Sequence, residues 1–137
     1  MDRLAAQLRQ PFDWYVAITR GGLVPACLLA QITGQRQIDT LVVRSYSDAR
    51  VQGEVHILHR DCGHLRGRSV LLIDDLVDSG RTMNDCTAYL LQEAGASLVE
   101  TAVIYSKAGS KYQPTYWIQE KPRDEWIVFP WEGNQKI

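Results

Sequence analysis

The chain has 137 residues, which leaves room for one domain and one core with little to spare. Hydrophobic residues make up 45% of it and charged residues 23%, an ordinary balance for a folded domain, and a net charge of −1 excludes a bulk affinity for nucleic acid or anionic membrane. No apolar run is long enough to span a bilayer, residues 1–7 lack a signal peptide's apolar segment, and three cysteines without paired spacing (Cys27, Cys62, Cys86) read as reduced thiols of a cytoplasmic protein.

Leu4, Ala5 and Leu8 recur at helical spacing, so a short amphipathic helix is expected over residues 2–10, ended by Pro11. Residues 14–18 are rich in aromatic and β-branched side chains and read as a buried strand. Thr19-Arg20-Gly21-Gly22 breaks it, and residues 24–30 suit a helix with Pro25 in its first turn. A second strand is expected at 39–43. From Arg44 to Arg68 polar residues and glycine dominate, with Val51, Val55, Ile57 and Leu58 the main aliphatic ones. That segment reads as a mobile excursion outside the core, with a β-hairpin as its candidate form. A strand at 70–73 follows, then a helix from about Thr82 to Glu93 closed by Gly95, then an apolar strand at 98–105. Residues 116–118 and 126–129 read as short strands of a proline-bearing tail. Strands alternating with helices predict an α/β fold, a parallel twisted sheet flanked by helices. No repeat or linker divides the chain, so residues 1–137 are expected to form a single domain.

The run from Ser69 to Thr82 carries the most chemistry. Its strand-like stretch stops on two adjacent carboxylates, Asp74 and Asp75, and the turn that follows holds Asp78, Ser79, Gly80, Arg81 and Thr82. Acids suited to a metal or a sugar diol thus stand beside a phosphate cradle, at the carboxyl end of a parallel strand where open α/β sheets keep their sites. Amides after Asp78 can form a nest, the next helix presents its positive end, Ser79 and Thr82 add hydroxyls, and Gly80 permits close approach. Adjacent aspartates on one strand point to opposite sides, so they can share a ligand only where the strand ends and the chain turns. The acid pair by itself is equally compatible with a solvated strand end; the accompanying turn residues make it a site.

This stretch resembles the phosphoribosyl-pyrophosphate signature of the type I phosphoribosyltransferases: four hydrophobic residues (Val70-Leu-Leu-Ile73), two acids, then a threonine- and glycine-rich loop. The resemblance implies that Asp74 and Asp75 hold the ribose hydroxyls and magnesium, and that residues 78–82 hold the 5′-phosphate. Thr19-Arg20-Gly21-Gly22-Leu-Val-Pro25 is similar to the pyrophosphate loop of the bacterial xanthine-guanine phosphoribosyltransferases, where the arginine and first glycine bind the diphosphate and the peptide entering the arginine is often cis. Residues 124–132 resemble that subfamily's base-binding segment. By that resemblance Trp126 stacks on the purine, while the backbone of Trp126 and Ile127 reads its substituents. Lys107 stands where the subfamily has a lysine that donates to the purine 6-oxo group. A cation there favours 6-oxopurines, because a 6-amino group would set donor against donor. The fold so implied has a mobile loop over about 44–68 and a small C-terminal base-binding hood over about 107–137.

The implied activity is transfer of ribose 5-phosphate from phosphoribosyl pyrophosphate to N9 of a 6-oxopurine (guanine, xanthine or hypoxanthine), releasing pyrophosphate, in purine salvage. Mg2+ is the expected cofactor, Arg20 the diphosphate ligand, and Asp78 the catalytic residue near purine N7. The expected assembly is a homo-dimer or homo-tetramer, with no nucleic-acid partner and no membrane span. The chain departs from the family pattern at Arg81, where a small residue is usual, and in the helix after the signature, which reads longer than the subfamily's. It departs also at Gly53, where the subfamily has a loop arginine that contacts the diphosphate; Arg50 is the candidate replacement. The rival readings are a phosphoribosyltransferase for another base, and a regulator that binds phosphoribosyl pyrophosphate or nucleotide without turnover. His56, His59, Cys62 and His64 do not have the spacing of common zinc sites and read as loop residues.

Overall fold

Strands buried on both faces build the centre of the molecule. Strand β4 (Ser69–Ile73) has Val70, Leu71, Leu72 and Ile73 all at 0% exposure, so both of its faces are covered. Val70 and Leu72 share one face with Val16, Ile18 and Val103, and helix α3 (Arg81–Gln92) packs there through Met83, Cys86 and Leu90. Leu71 and Ile73 share the other with Tyr15, Ala17 and Ala102. Helix α2 (Leu23–Thr33) packs against that face through Ala26, Leu29 and Ala30, and α1 (Asp2–Gln7) adds Leu4.

The computed structural model describes residues 1–48, 51–58 and 61–133. Strand β1 (Trp14–Thr19) lies between β2 (Ile38–Asp48) and β4, and β4 pairs with β6 (Leu98–Lys107), all in parallel. Strand β3 (Val51–Ile57) adds antiparallel to β2, while β5 (Leu76–Val77) and β7 (Tyr116–Lys121) both pair in parallel with β6. The chain leaves β1 through α2 towards β2, on one face, and leaves β4 through α3 towards β6, on the other. The two connections diverge between β1 and β4. That is a topological switch point, and it leaves a crevice at the carboxyl ends of these two strands.

Four expectations need correction. Helix α1 stops at Gln7 rather than Gln10, with Leu8 already extended (φ −62°, ψ 124°), because a helix this short frays and Pro11 disfavours helical backbone just before it. The 44–68 segment is only partly an excursion. It begins as the β2–β3 hairpin, but Cys62 and Leu65 are buried in the core and Ile57 packs against it, so these three residues tie the segment to the packed interior. Residues 74–82 are not a plain turn, since Leu76 and Val77 pair with Tyr105 and Ser106. Residues 126–129 form no strand. The Phe129 amide donates to Glu132 Oε2 at 3.1 Å, a side-chain partner in place of a ladder, and β7 already occupies the outer edge of β6.

Candidate active site

Two loops meet in the crevice. The first, residues 19–22, follows β1, and its Thr19–Arg20 peptide is cis, as the resemblance implies. Gly22 donates to Ile18 O at 2.7 Å, and a Cβ on it would lie 2.3 Å from Ile73 O, so only glycine lets the loop fold this close to β1 and β4. A Cβ on Gly21 would lie 2.6 Å from Asp75 Oδ2, which places the backbone of the expected diphosphate loop directly against the acid pair. Arg20 is exposed beside it.

The second loop runs from Asp74 to the start of α3. The Asp74 amide donates to Ala102 O at 3.1 Å and the Asp75 amide to Asp74 Oδ1 at 2.9 Å, so the acids sit where the strand turns away and their carboxylates come together. Burial, and then the charge of Asp75, pushes Asp74 well above the usual carboxylate range. Burial likewise raises Asp75, with a further contribution from the negative charge of Glu132 in the C-terminal segment. The Cys86 thiol beneath them is pushed up to about 12, by burial first and the Asp74 charge second. Two half-buried like charges beside one another suit a hard divalent cation. A two-carboxylate donor set fits magnesium, which keeps several waters and takes its remaining ligands from substrate oxygens.

Beyond the acids, Gly80 (φ 92°) caps α3, and a Cβ there would lie 2.4 Å from Tyr112 Cβ. The amides of Arg81 and Thr82 lie in the first helical turn, where N–H groups lack intrahelical acceptors, and Ser79 Oγ accepts from the Arg81 amide at 3.3 Å. Arg81 lies 3.9 Å from Asp85. Asp78 is exposed, and Arg123 Nη1 sits 3.2 Å from its Oδ1. Ser79, Gly80, Arg81, Lys111 and Arg123 line a cavity of about 790 Å³ on the phosphate-turn side of the site, and neither Asp74 nor Asp75 is part of its lining.

Lys107 closes β6, buried at 7% exposure, and its Nζ donates to the carbonyls of Arg123 and Glu125. It therefore anchors the segment leading to Trp126, and of an ammonium's three donors two are engaged there. Trp126 is 88% exposed, which excludes a core role for it, and Ile127 is partly buried. Phe129 is buried and stacks between Tyr105 (5.7 Å) and Trp131 (4.9 Å), fixing the far end of the segment.

Sequence reasoning missed Arg123 and Glu132. Arg123 lies in an alternating charge run, Glu120-Lys-Pro-Arg-Asp-Glu125, in which nothing distinguishes it from a solvated cation. Glu132 lies within the segment singled out by resemblance, yet only folding brings it near Asp75. Of the zinc candidates, His64 pairs with Asp39 at 2.7 Å and packs edge-on to Trp14, and Cys62 is buried. His59 and Arg50 lie outside the described residues. No helix among the described residues is long and apolar enough to cross a membrane.

The phosphoribosyl transferase domain family matches residues 1–134 of the chain. The chain is 37% identical over 126 residues to the xanthine-guanine phosphoribosyltransferase of Desulfotalea psychrophila, a match spanning 92% of this chain and 74% of that protein. Its fold is similar to a purine phosphoribosyltransferase from Pyrococcus horikoshii, with a TM-score of 0.80 and 29% identity over 93% of this chain and 83% of that one. It is similar also to a Neisseria gonorrhoeae protein solved with bound ppGpp, with a TM-score of 0.78 and 26% identity over 96% of this chain and 82% of that one.

Proposed function

The chain belongs to the phosphoribosyl transferase domain family, and on that premise we propose that it is a purine-salvage enzyme joining phosphoribosyl pyrophosphate to N9 of a 6-oxopurine. The bond from ribose C1 to the diphosphate oxygen breaks, the C1–N9 bond forms, the diphosphate keeps the bonding pair, and the purine gives up a proton. Glycosyl transfers of this kind pass through oxocarbenium-like transition states, so the site must accept charge on the leaving group and take the purine's proton. The single observation behind this reading is the meeting of the 19–22 loop with the acid pair, Gly21 against Asp75, at the switch point of the sheet.

In this reading the amides and hydroxyls of Ser79, Gly80, Arg81 and Thr82 hold the 5′-phosphate, and Asp74 and Asp75 hold the ribose hydroxyls and Mg2+. Bound there, magnesium would neutralise charge on the diphosphate. Arg20 and the Gly21 amide bind the departing diphosphate. Asp78 takes or balances the purine proton near N7. Trp126 stacks on the base, the Ile127 backbone reads it, and the third donor of Lys107 goes to its 6-oxo group. The assembly is a homo-dimer or homo-tetramer.

Pyrophosphate release with guanine, xanthine, hypoxanthine and adenine, each alone with phosphoribosyl pyrophosphate and Mg2+, tests the reading. Turnover is expected with at least one 6-oxopurine, and kcat/KM for adenine should be lower by about 100-fold or more, since an unmatched buried donor is strongly rejected. Equal use of adenine would overturn the base assignment. Binding of phosphoribosyl pyrophosphate with no release from any base would instead make the protein a ligand-sensing regulator.

A further inference from the structure

We propose that Arg123 is a positioning residue for Asp78, tying the start of the base-binding segment to the phosphate turn; the inference rests on the transfer reaction above and deepens it. Arg123 Nη1 donates to the backbone carbonyl of Asp78 at 3.1 Å and lies 3.2 Å from its carboxylate Oδ1. Both acceptors belong to one residue. A cation that touched the carboxylate alone would leave the Asp78 side chain free to rotate with its partner. One that also grips the main chain of the same residue restricts the side-chain torsions, and a guanidinium keeps its charge and planar shape throughout. The other end is fixed as well, because Lys107 Nζ donates to the carbonyl of Arg123 at 3.3 Å. An unbroken line of bonds therefore runs from the end of β6, through the backbone and side chain of Arg123, to Asp78. Trp126, the exposed aromatic proposed to carry the base, begins three residues further on.

Both partners are more than half exposed, so the pair is screened and contributes little to stability. Its effect is on geometry. A proton acceptor works only within hydrogen-bond reach of its proton, and a shift of about 1 Å can cost two orders of magnitude in rate. The base platform and Asp78 come from separate parts of the chain, and Arg123 is the side chain that joins them. Because Arg123 also lines the cavity with Arg81 and Lys111, direct contact with a substrate phosphate is the competing role.

A double-mutant cycle between Arg123→Gln and Asp78→Asn separates the two. Arg123→Gln is expected to lower kcat about tenfold with the KM for phosphoribosyl pyrophosphate changed by less than about twofold. Arg123→Lys should recover part of the loss. In the Asp78→Asn background, Arg123→Gln should cause no further loss, because the residue it positions is already inactive. The same fractional loss in both backgrounds overturns the proposal, as does an effect confined to the KM for phosphoribosyl pyrophosphate, which would assign the cation to a phosphate. Wild-type turnover with a 6-oxopurine is the control for the reaction itself. Its absence overturns the proposed reaction, whereas turnover undiminished by Arg123→Gln overturns only the tether.

Discussion

Three aspartates stand within five residues of one another, and their surroundings assign them different tasks. Asp78 is exposed and paired with a guanidinium, available to a ligand entering the crevice. Replacing it with Asn should lower kcat by about 100-fold, the low end for a lost acid–base group. The KM for phosphoribosyl pyrophosphate should change by less than about threefold if Asp78 serves the purine and not the sugar phosphate. Steady-state kinetics with both substrates varied would check this, and an unchanged kcat would remove the catalytic role. Asp74 is set into the fold beside Asp75, with its affinity for protons raised by burial and like charge. A carboxyl that binds its proton more tightly in the folded chain than in the unfolded one stabilises the fold less as pH climbs from its ordinary value of 3.8 through the raised native range. Asp74→Asn should therefore raise the Tm of the metal-free protein at pH 8 by about 3 °C or more. The gain should shrink to nothing as pH falls towards 4, a trend that melting curves across that range would read directly. The same substitution should weaken the Mg2+-dependent rise in Tm, since it removes one of the two proposed ligands.

Elements place these residues by close backbone approach, and the 19–22 loop illustrates it with two neighbouring glycines. A side chain at Gly22 would meet the backbone of Ile73 and Ile18, at the ends of two buried strands that cannot give way. Gly22→Ala should cost about 2–4 kcal/mol, within the range for overpacking and forced backbone shifts. The three atoms nearest to a side chain at Gly21 all belong to the end of the Asp75 side chain, which can rotate. Gly21→Ala should cost less than about 1 kcal/mol of stability. It should nevertheless raise the KM for phosphoribosyl pyrophosphate about tenfold, because it displaces a proposed metal ligand. Chemical denaturation and kinetics on the two variants would separate these lesions, and equal instability in both would refute the distinction. Strands β1, β4 and β6 and helix α3 were legible in the sequence because period and composition are local properties. The 126–129 segment was not, since a Val-Phe-Pro sequence reads as strand until the edge it would need is already taken by β7. Nor was the burial of Cys62 and Leu65, which follow a polar hairpin and return to the core only through tertiary contacts.

At the scale of the whole molecule, α2 has eleven residues without a charge and exposes Leu23, Leu28 and Ile32 at 41–45%. A helix that is apolar on its outer as well as its inner face gains by covering both. Sedimentation should find a dimer or larger, and Leu28→Glu should shift the distribution towards monomer; a wild-type monomer would overturn the homo-oligomer proposal. The sequence by itself determined the α/β class, the acid pair, the phosphate turn and, through resemblance, the residues expected to meet the diphosphate and the base. Each of those rests on contiguous residues whose spacing along the chain is also their spacing in space. Only the tertiary structure decided that the 19–22 loop lies against Asp75, that Lys107 holds the carbonyls of residues 123 and 125, and that Arg123 reaches Asp78. Those contacts join parts of the chain up to fifty-odd residues apart, as between Gly21 and Asp75. The approach of Gly21 to Asp75 exists because oppositely directed crossovers from β1 and β4 open a crevice between two strands that hydrogen bonding has made neighbours.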